Sequence, residues 1–329
     1  MKFQFINNIS IRNKLFIGFG VVLAIMAVVA LTAVISMSQA TSNANATVVE
    51  QLPQLEIADE ITGYVSEMEI SARTYTSLED ESYLERAHET TEKIKSLLNK
   101  LKSIPLSGQQ KNELLNFTKN GGDILTKHSN FLNEVEATIT KIQANRIEID
   151  ARGTEFITKT AEILDTFQSE LEMEIESGDV IVELLGESIS RIHATSSIIE
   201  NAQKVINKTW RGIATRDNAL IEEANGDFGA IFEELGKTQA STMDIYIRGL
   251  VDEIIAAGEN YQAKSNELVA NWGALSTALD NLVQSEEYLS SATSRFSAKS
   301  MSSVTDANED IESLLSKSKT LVIILTIIA

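Results

Sequence analysis

The stretch Leu15–Ile35, LFIGFGVVLAIMAVVALTAVI, carries no charged side chain. A helix rises about 1.5 Å per residue, and a hydrocarbon core about 30 Å thick asks for roughly twenty apolar residues in a row. This stretch meets that length. Lys2, Arg12 and Lys14 precede it with no acidic residue among them, an asymmetry that keeps the N-terminus in the cytoplasm and sends the following chain across the membrane. At the other end, Lys317 and Lys319 lead into TLVIILTIIA, which is about half of a span. We read it as a second membrane helix cut short at Ala329, with a cytoplasmic region missing beyond it. Two alternatives stay open. Small residues between Ala40 and Ala46 suit cleavage of a secretory signal, although a signal's apolar core is usually shorter, roughly 7–15 residues. The apolar tail also fits a lipid-anchor signal, since the paired lysines match a stop-transfer flank only loosely. The expected division is therefore 1–14 cytoplasmic, 15–35 transmembrane, 36–318 outside the cytoplasm, and 319–329 the start of a second span.

The segment between the apolar runs is longer than one ordinary domain. Proline numbers 2 in 329 residues and aromatics make up 6%. Helix interiors exclude proline and strands favour aromatics, so this composition predicts an all-α body. Zero cysteines exclude disulfides and thiolate chemistry; a periplasmic home is compatible with that but not required by it. A net charge of −19 argues against nucleic acid, whose phosphates need clustered Lys and Arg.

Apolar residues at helical spacing run from about Ser38 to Ser77, and Pro53 is expected to bend that helix. A shorter helix follows from Glu81 to Ser103, ending at the Ile104-Pro105-Leu106-Ser107-Gly108 turn, where Ser107 is a candidate N-cap. A long helix covers Gln109 to about Ser177. Ser177-Gly178-Asp179 reads as a stop and a fresh cap. A fourth helix reaches about Thr215, a fifth runs from Asp217 to about Lys237, and a sixth runs unbroken from near Ser241 into the tail. Setting Asp80 on Asp217 places Glu85 on Glu222, Ala87 on Ala224, Leu98 on Leu235, Gly121 on Gly258 and Lys127 on Lys264. Leu84 then meets Ile221 and Ile94 meets Ile231, an internal repeat that low-complexity helices can also mimic. With lengths of about 60, 35 and 100 Å for the first three helices, two stacked four-helix bundles bury every apolar stripe. The expected membrane-proximal bundle is about 38–140 plus 275–318, and the distal one about 141–274. The alternative, one continuous coiled coil, would need sustained heptads with few turns.

The start, MKFQFINNISIRNKLFIGFGVVL, resembles bacterial methyl-accepting chemotaxis proteins, in which an I-R-x-K-L-type basic flank leads into the first membrane helix. The six-helix stretch resembles the helical bimodular (HBM) sensor domain of such receptors and of some sensor kinases. The resemblance implies a small ligand, often an organic acid, in each bundle. It also implies a multi-pass inner-membrane chemoreceptor with its sensor domain in the periplasm or extracellular space. A sensor histidine kinase with the same outer domain and a non-sensing membrane-anchored helical adaptor are the competing readings.

Arginines near the far end of each expected bundle are candidate carboxylate ligands, because a guanidinium fork matches a carboxylate bidentately. Arg73 and Tyr75 stand at the end of the first helix. Trp210 and Arg211 stand at the end of the fourth, and counting helical rise brings Arg146, Arg152 and Tyr261 to the same height. Each arginine could equally be exposed or paired with one of the 47 acidic residues, and Trp210 and Tyr261 could be core. His88, His128 and His193 are far apart without a second ligand at i+3 or i+4, which argues against a metal. No phosphate loop or nucleophile motif is present, so neither cofactor nor enzymatic activity is expected. The expected partners are a small carboxylate and a second copy of the chain, in a membrane-spanning homodimer.

Overall fold

The computed structural model describes residues 10–105, 108–178 and 182–328, all of them helical or in short connections. The helices are α1 (Ile11–Ala46), α2 (Leu52–Leu78), α3 (Glu81–Lys102), α4 (Gly108–Glu176), α5 (Val182–Thr215), α6 (Asn218–Ser241) and α7 (Ile245–Ile328). A π-helical turn, Thr47–Gln51, joins α1 to α2 without a break, so the described residues form six helical rods and no strand.

The π-helical turn is where the bend expected at Pro53 is absorbed. Proline has no N–H and its ring collides with the carbonyl four residues back. Widening one turn removes the collision: Leu52 N–H reaches the Thr47 carbonyl five residues back, the usual local form of such an insertion. The α1 half carries the apolar stretch, with Leu15, Phe16, Phe19, Leu23, Met26 and Leu31 all exposed. Among the described residues this is the one helix long and apolar enough to cross a membrane. The α7 tail likewise leaves Leu321, Ile323, Ile324 and Ile327 exposed.

Two helix starts are built alike. Asp80 accepts from Ser82 N–H at 2.9 Å, and Asp217 accepts from Ala219 N–H at 3.0 Å and Leu220 N–H at 3.3 Å, satisfying donors with no intrahelical partner. The residue before each cap is left-handed, Glu79 at φ 55° and Arg216 at φ 53°. Gly178, at φ 76°, supplies the stop read in the sequence, because a glycine adopts that conformation without a Cβ penalty. The caps expected at Ser107 and Asp179 lie outside the described residues. One boundary differs from the sequence reading. The fifth helix continues past Lys237 to Ser241, and the break falls at Thr242, extended at φ −112°, ψ 141°. There the Thr242 hydroxyl accepts from Asp244 N–H (3.1 Å) and Asp244 accepts from Tyr246 N–H (2.7 Å). Neither Gly nor Pro marks this turn, which is why hydrophobic spacing placed it early.

The chain divides into two compact units, 1–130 with 282–329, and 131–281. In the first, α2, α3, the start of α4 and the end of α7 enclose a core of Ile57, Ile61, Val65, Met68, Ile94, Leu98, Leu125 and Leu289. In the second, α5, α6, the end of α4 and the start of α7 enclose an aromatic core. Phe156 meets Phe228 edge-on at 5.6 Å, and Phe228 lies 5.5 Å from both Phe232 and Tyr261. Each unit is a four-helix bundle.

The Asp80–Asp217 register carries through both cores. Ile61 and Ile198, Met68 and Val205, Ala87 and Ala224, and Leu98 and Leu235 are buried pair by pair. In that register Gly121 falls on Gly258. A Cβ on Gly121 would stand 3.0 Å from a Leu98 methyl, and one on Gly258 would stand 2.6 Å from the Phe232 ring. Both glycines thus let a long helix approach its short neighbour closely.

Candidate functional site

The repeat register also places one cleft twice. In the first unit a cleft of about 280 Å³ opens between α2 and α7, lined by Ser66, Glu69 and Arg73 from α2 and by Glu286, Glu287 and Ser290 from α7. In the second unit a cleft of about 410 Å³ opens between α5 and α4. There Gln203 and Ile206 stand where Ser66 and Glu69 stand, and Asp150 and Gly153 stand where Glu287 and Ser290 do. The first cleft has three carboxyls and one guanidinium; the second has a single carboxyl.

Arg73 is where the sequence put it in the chain, but not turned inward. Its side chain is 58% exposed and pairs with Glu69 one turn back at 2.7 Å, the favourable order of charges along a helix. It forms the rim of the first cleft. Tyr75 is buried in the α2 core.

Behind that rim lies a polar cluster that sequence reasoning missed. Glu286 is 2% exposed, lines the cleft, and accepts no hydrogen bond among the described residues; its Oε1 is fully buried and unpartnered. His128 Nδ1 lies 4.0 Å from that Oε1, beyond hydrogen-bond reach. His128 Nδ1 is 3.1 Å from Ser285 Oγ, and that hydroxyl donates its own hydrogen to the Leu282 carbonyl at 2.7 Å. The serine oxygen is therefore the acceptor and Nδ1 carries the proton, leaving Nε2 as a buried lone pair without a partner,.

Burial disfavours charge on both groups. It pushes the Glu286 carboxyl up to about 8, with Glu69 raising it further and Arg73 opposing. It pushes the His128 imidazole down to about 4, with His88 and Lys95 on α3 adding to the effect. At neutral pH both are uncharged. The signal was present in the sequence: Glu286 falls between Leu282 and Leu289 on the inward stripe of α7, where a carboxylate is out of place.

In the second unit Tyr261 backs the cleft rather than lining it. Its ring lies 3.1 Å from where a Gly153 Cβ would be. Burial pushes its phenol up to about 12, with Thr209 and Asp150 as lesser influences. The Thr209 hydroxyl is turned to the Val205 carbonyl at 3.1 Å, and the Tyr261 hydroxyl makes no well-formed hydrogen bond among the described residues. Arg152 pairs with Glu155 at 2.8 Å, Arg146 and Trp210 are half-buried, and Arg211 is exposed. The sequence reading passed over Arg191, which lines a third cleft of about 370 Å³ between α5 and α6 together with Lys237. Its guanidinium lies 5.3 Å over the Phe167 ring and 3.6 Å from Glu170. A fourth cleft, beside the π-helical turn, is lined by Arg295 and Lys299; Lys299 pairs with Glu113 at 2.6 Å and Arg295 donates to Ser291 at 3.0 Å.

Residues 8–170 match the profile of the family described as a four-helix-bundle sensory module for signal transduction. Among solved structures, one titled "Crystal Structure of the TorS sensor domain - TorT complex in the presence of TMAO" is similar at 10% identity. The match covers 81% of this chain and 99% of that one with a TM-score of 0.34, a level of likeness that carries no structural argument. No curated protein matches the sequence.

Proposed function

From the match of residues 8–170 to the four-helix-bundle sensory module of signal-transduction receptors, we propose that this chain is the sensing part of a transmembrane chemoreceptor. In this reading the helical body lies in the periplasm or outside the cell as a helical bimodular domain. The observation that carries the proposal is the continuity of α7. Val283, Glu286 and Ser290 line a cleft, and the same helix continues without interruption to Ile328. A ligand that favours one packing of α2 against α7 biases the position of α7 along its own axis, by an ångström or two. Two copies packed about a two-fold axis share the motion, and the second apolar run carries it to a cytoplasmic signalling region.

The proposed ligand is a small organic acid. Its candidate contacts are Arg146, Arg152, Trp210, Arg211 and Tyr261 in the second unit. Guanidinium groups held by partial ion pairs exchange one carboxylate for another at little cost. Calorimetry of the chain in lipid nanodiscs with succinate tests this: Arg211→Ala is expected to weaken binding at least tenfold. Unchanged affinity removes that residue from the site. The chain has no cysteine, so paired cysteines introduced in the apolar parts of α1 and α7 report the slide without background. Crosslinking rates that are indifferent to a bound ligand sink the signalling proposal.

A further inference from the structure

We propose that the cleft between α2 and α7 in the first unit binds a small organic cation, a primary alkylammonium, with its charge against the Glu286 carboxyl. The inference starts from an unused acceptor. A carboxyl that is 2% exposed and accepts no hydrogen bond among the described residues is costly, and this one lines an open cleft. An ammonium has three donors and no acceptor, the complement of such a group.

The charges around Glu286 favour the same ligand. From α2, Glu69 and Arg73 face the cleft, and Arg73 is already neutralised by Glu69 at 2.7 Å. From α7 itself comes Glu287. From α4 comes His128, held neutral by burial, with His88 and Lys95 on α3 acting on that imidazole rather than on the cleft. The balance is negative, and a carboxylate ligand would have to displace Glu69 from Arg73 while facing two further carboxyls. Val65 and Val283 give the cleft apolar walls, and about 280 Å³ accommodates a chain of a few carbons. The second unit makes the contrast. In the same register, Ile149 takes the place of Glu286 and Ile206 that of Glu69, so the equivalent cleft lacks the acceptor.

Burial leaves Glu286 protonated at neutral pH, which gives the site a distinctive balance. The incoming alkylammonium keeps its proton, Glu286 loses one to solvent, and an ion pair forms. Binding therefore releases one proton below about pH 8 and none well above it, and affinity rises about tenfold per pH unit from 6.5 to 7.5.

The test is calorimetry of the full chain in nanodiscs with n-butylammonium chloride, and with sodium butyrate and succinate as separate arms. Titrations at pH 6.5 and 9 in two buffers of different ionisation enthalpy count the protons released. The expected result is binding of butylammonium with close to one proton released at pH 6.5 and close to zero at pH 9. Glu286→Gln should weaken binding at pH 9 at least tenfold and abolish the pH dependence. Arg73→Ala, which frees Glu69, should strengthen butylammonium binding. The proton count needs no variant, so it stands even if Glu286→Gln fails to fold. Absence of butylammonium binding at both pH values, or binding without proton release at pH 6.5, overturns the proposal. So does binding of butyrate in this cleft, lost in Arg73→Ala. The proposal goes beyond the organic-acid reading. Succinate binding lost in Arg211→Ala leaves that reading standing whatever butylammonium does, so the two can fail separately.

Discussion

The two units share a register and differ in what fills it. Where the second unit has Phe156 and Phe228 in edge-on contact, the first has Thr293 and Thr91, both buried. Where the second has Ile149 and Ser265, the first has Glu286 and His128. One scaffold thus carries an aromatic cluster in one copy and, at the matching positions of an aliphatic core in the other, two threonines and a buried carboxyl–imidazole pair. The comparison shows that helix starts, approach distances and cleft position are properties of the repeat, whereas the chemistry of each cleft is set by two or three inward side chains. Aromatic packing specifies one arrangement closely, whereas the first unit holds a buried ionisable carboxyl, Glu286, in the wall of the cleft between α2 and α7. On that ground the first unit is the better place for a ligand to choose between two packings of α2 and α7.

The most forceful way to break the comparison is to move the carboxyl across. Ile149→Glu puts the Glu286 group at the equivalent position of the second unit, where Ser265 and not an imidazole stands at the place of His128. We expect a loss of about 4 kcal/mol at pH 8, the cost of burying an uncompensated carboxylate, and a smaller loss at pH 5, where it is protonated. Chemical denaturation at both pH values measures it. A loss below 1 kcal/mol at pH 8 would mean that the second core relaxes as freely as the first.

A second test concerns the close approaches. A Cβ on Gly258 would meet the Phe232 ring at 2.6 Å and the Phe156 ring at 3.0 Å, whereas one on Gly121 would meet a Leu98 side chain at 3.0 Å. Two packed rings yield less readily than one leucine, so Gly258→Ala is expected to cost about 3 kcal/mol and Gly121→Ala about 1 kcal/mol. Equal thermal shifts for the two variants would remove the distinction between a rigid and a compliant unit.

Much of this frame was legible in the sequence. Asp80 and Asp217 marked both short helices because a carboxylate beside free N–H groups has few other local uses, and the Gly121–Gly258 correspondence survived into matching close contacts. The break at Thr242 was read a few residues early, since its extended backbone follows from no Gly or Pro. The site was legible only at its edge. Arg73 drew attention as a scarce cation and lies on the rim, whereas Glu286, one of 47 acidic residues, was concealed by number. What singles it out is its spacing from Leu282 and Leu289 on the inward stripe of α7, a signal that attention to scarce cations passes over.

The finest test reads the polar pair through pH. In the folded chain Glu286 holds its proton up to about 8, while unfolded it would lose it near 4.5. Its contribution to stability is therefore complete at low pH and lost as pH rises through 8. His128 runs the opposite way: its imidazole charges near 6.5 when unfolded and only at about 4 when folded, so its contribution is present above 6.5 and lost as pH falls through 4. Between 4.5 and 6.5 the two slopes oppose each other. From 6.5 to 8 only the Glu286 slope remains, about 1.4 kcal/mol per pH unit and about 2 kcal/mol in all. Glu286→Gln should remove that decline and leave the acid-side loss from His128 intact, as read by urea denaturation from pH 4 to 9. If wild type and variant decline in parallel above pH 6.5, Glu286 is already ionised in the fold. The contrast between the two units would then rest on His128 and on the two threonines that stand where the second unit has Phe156 and Phe228.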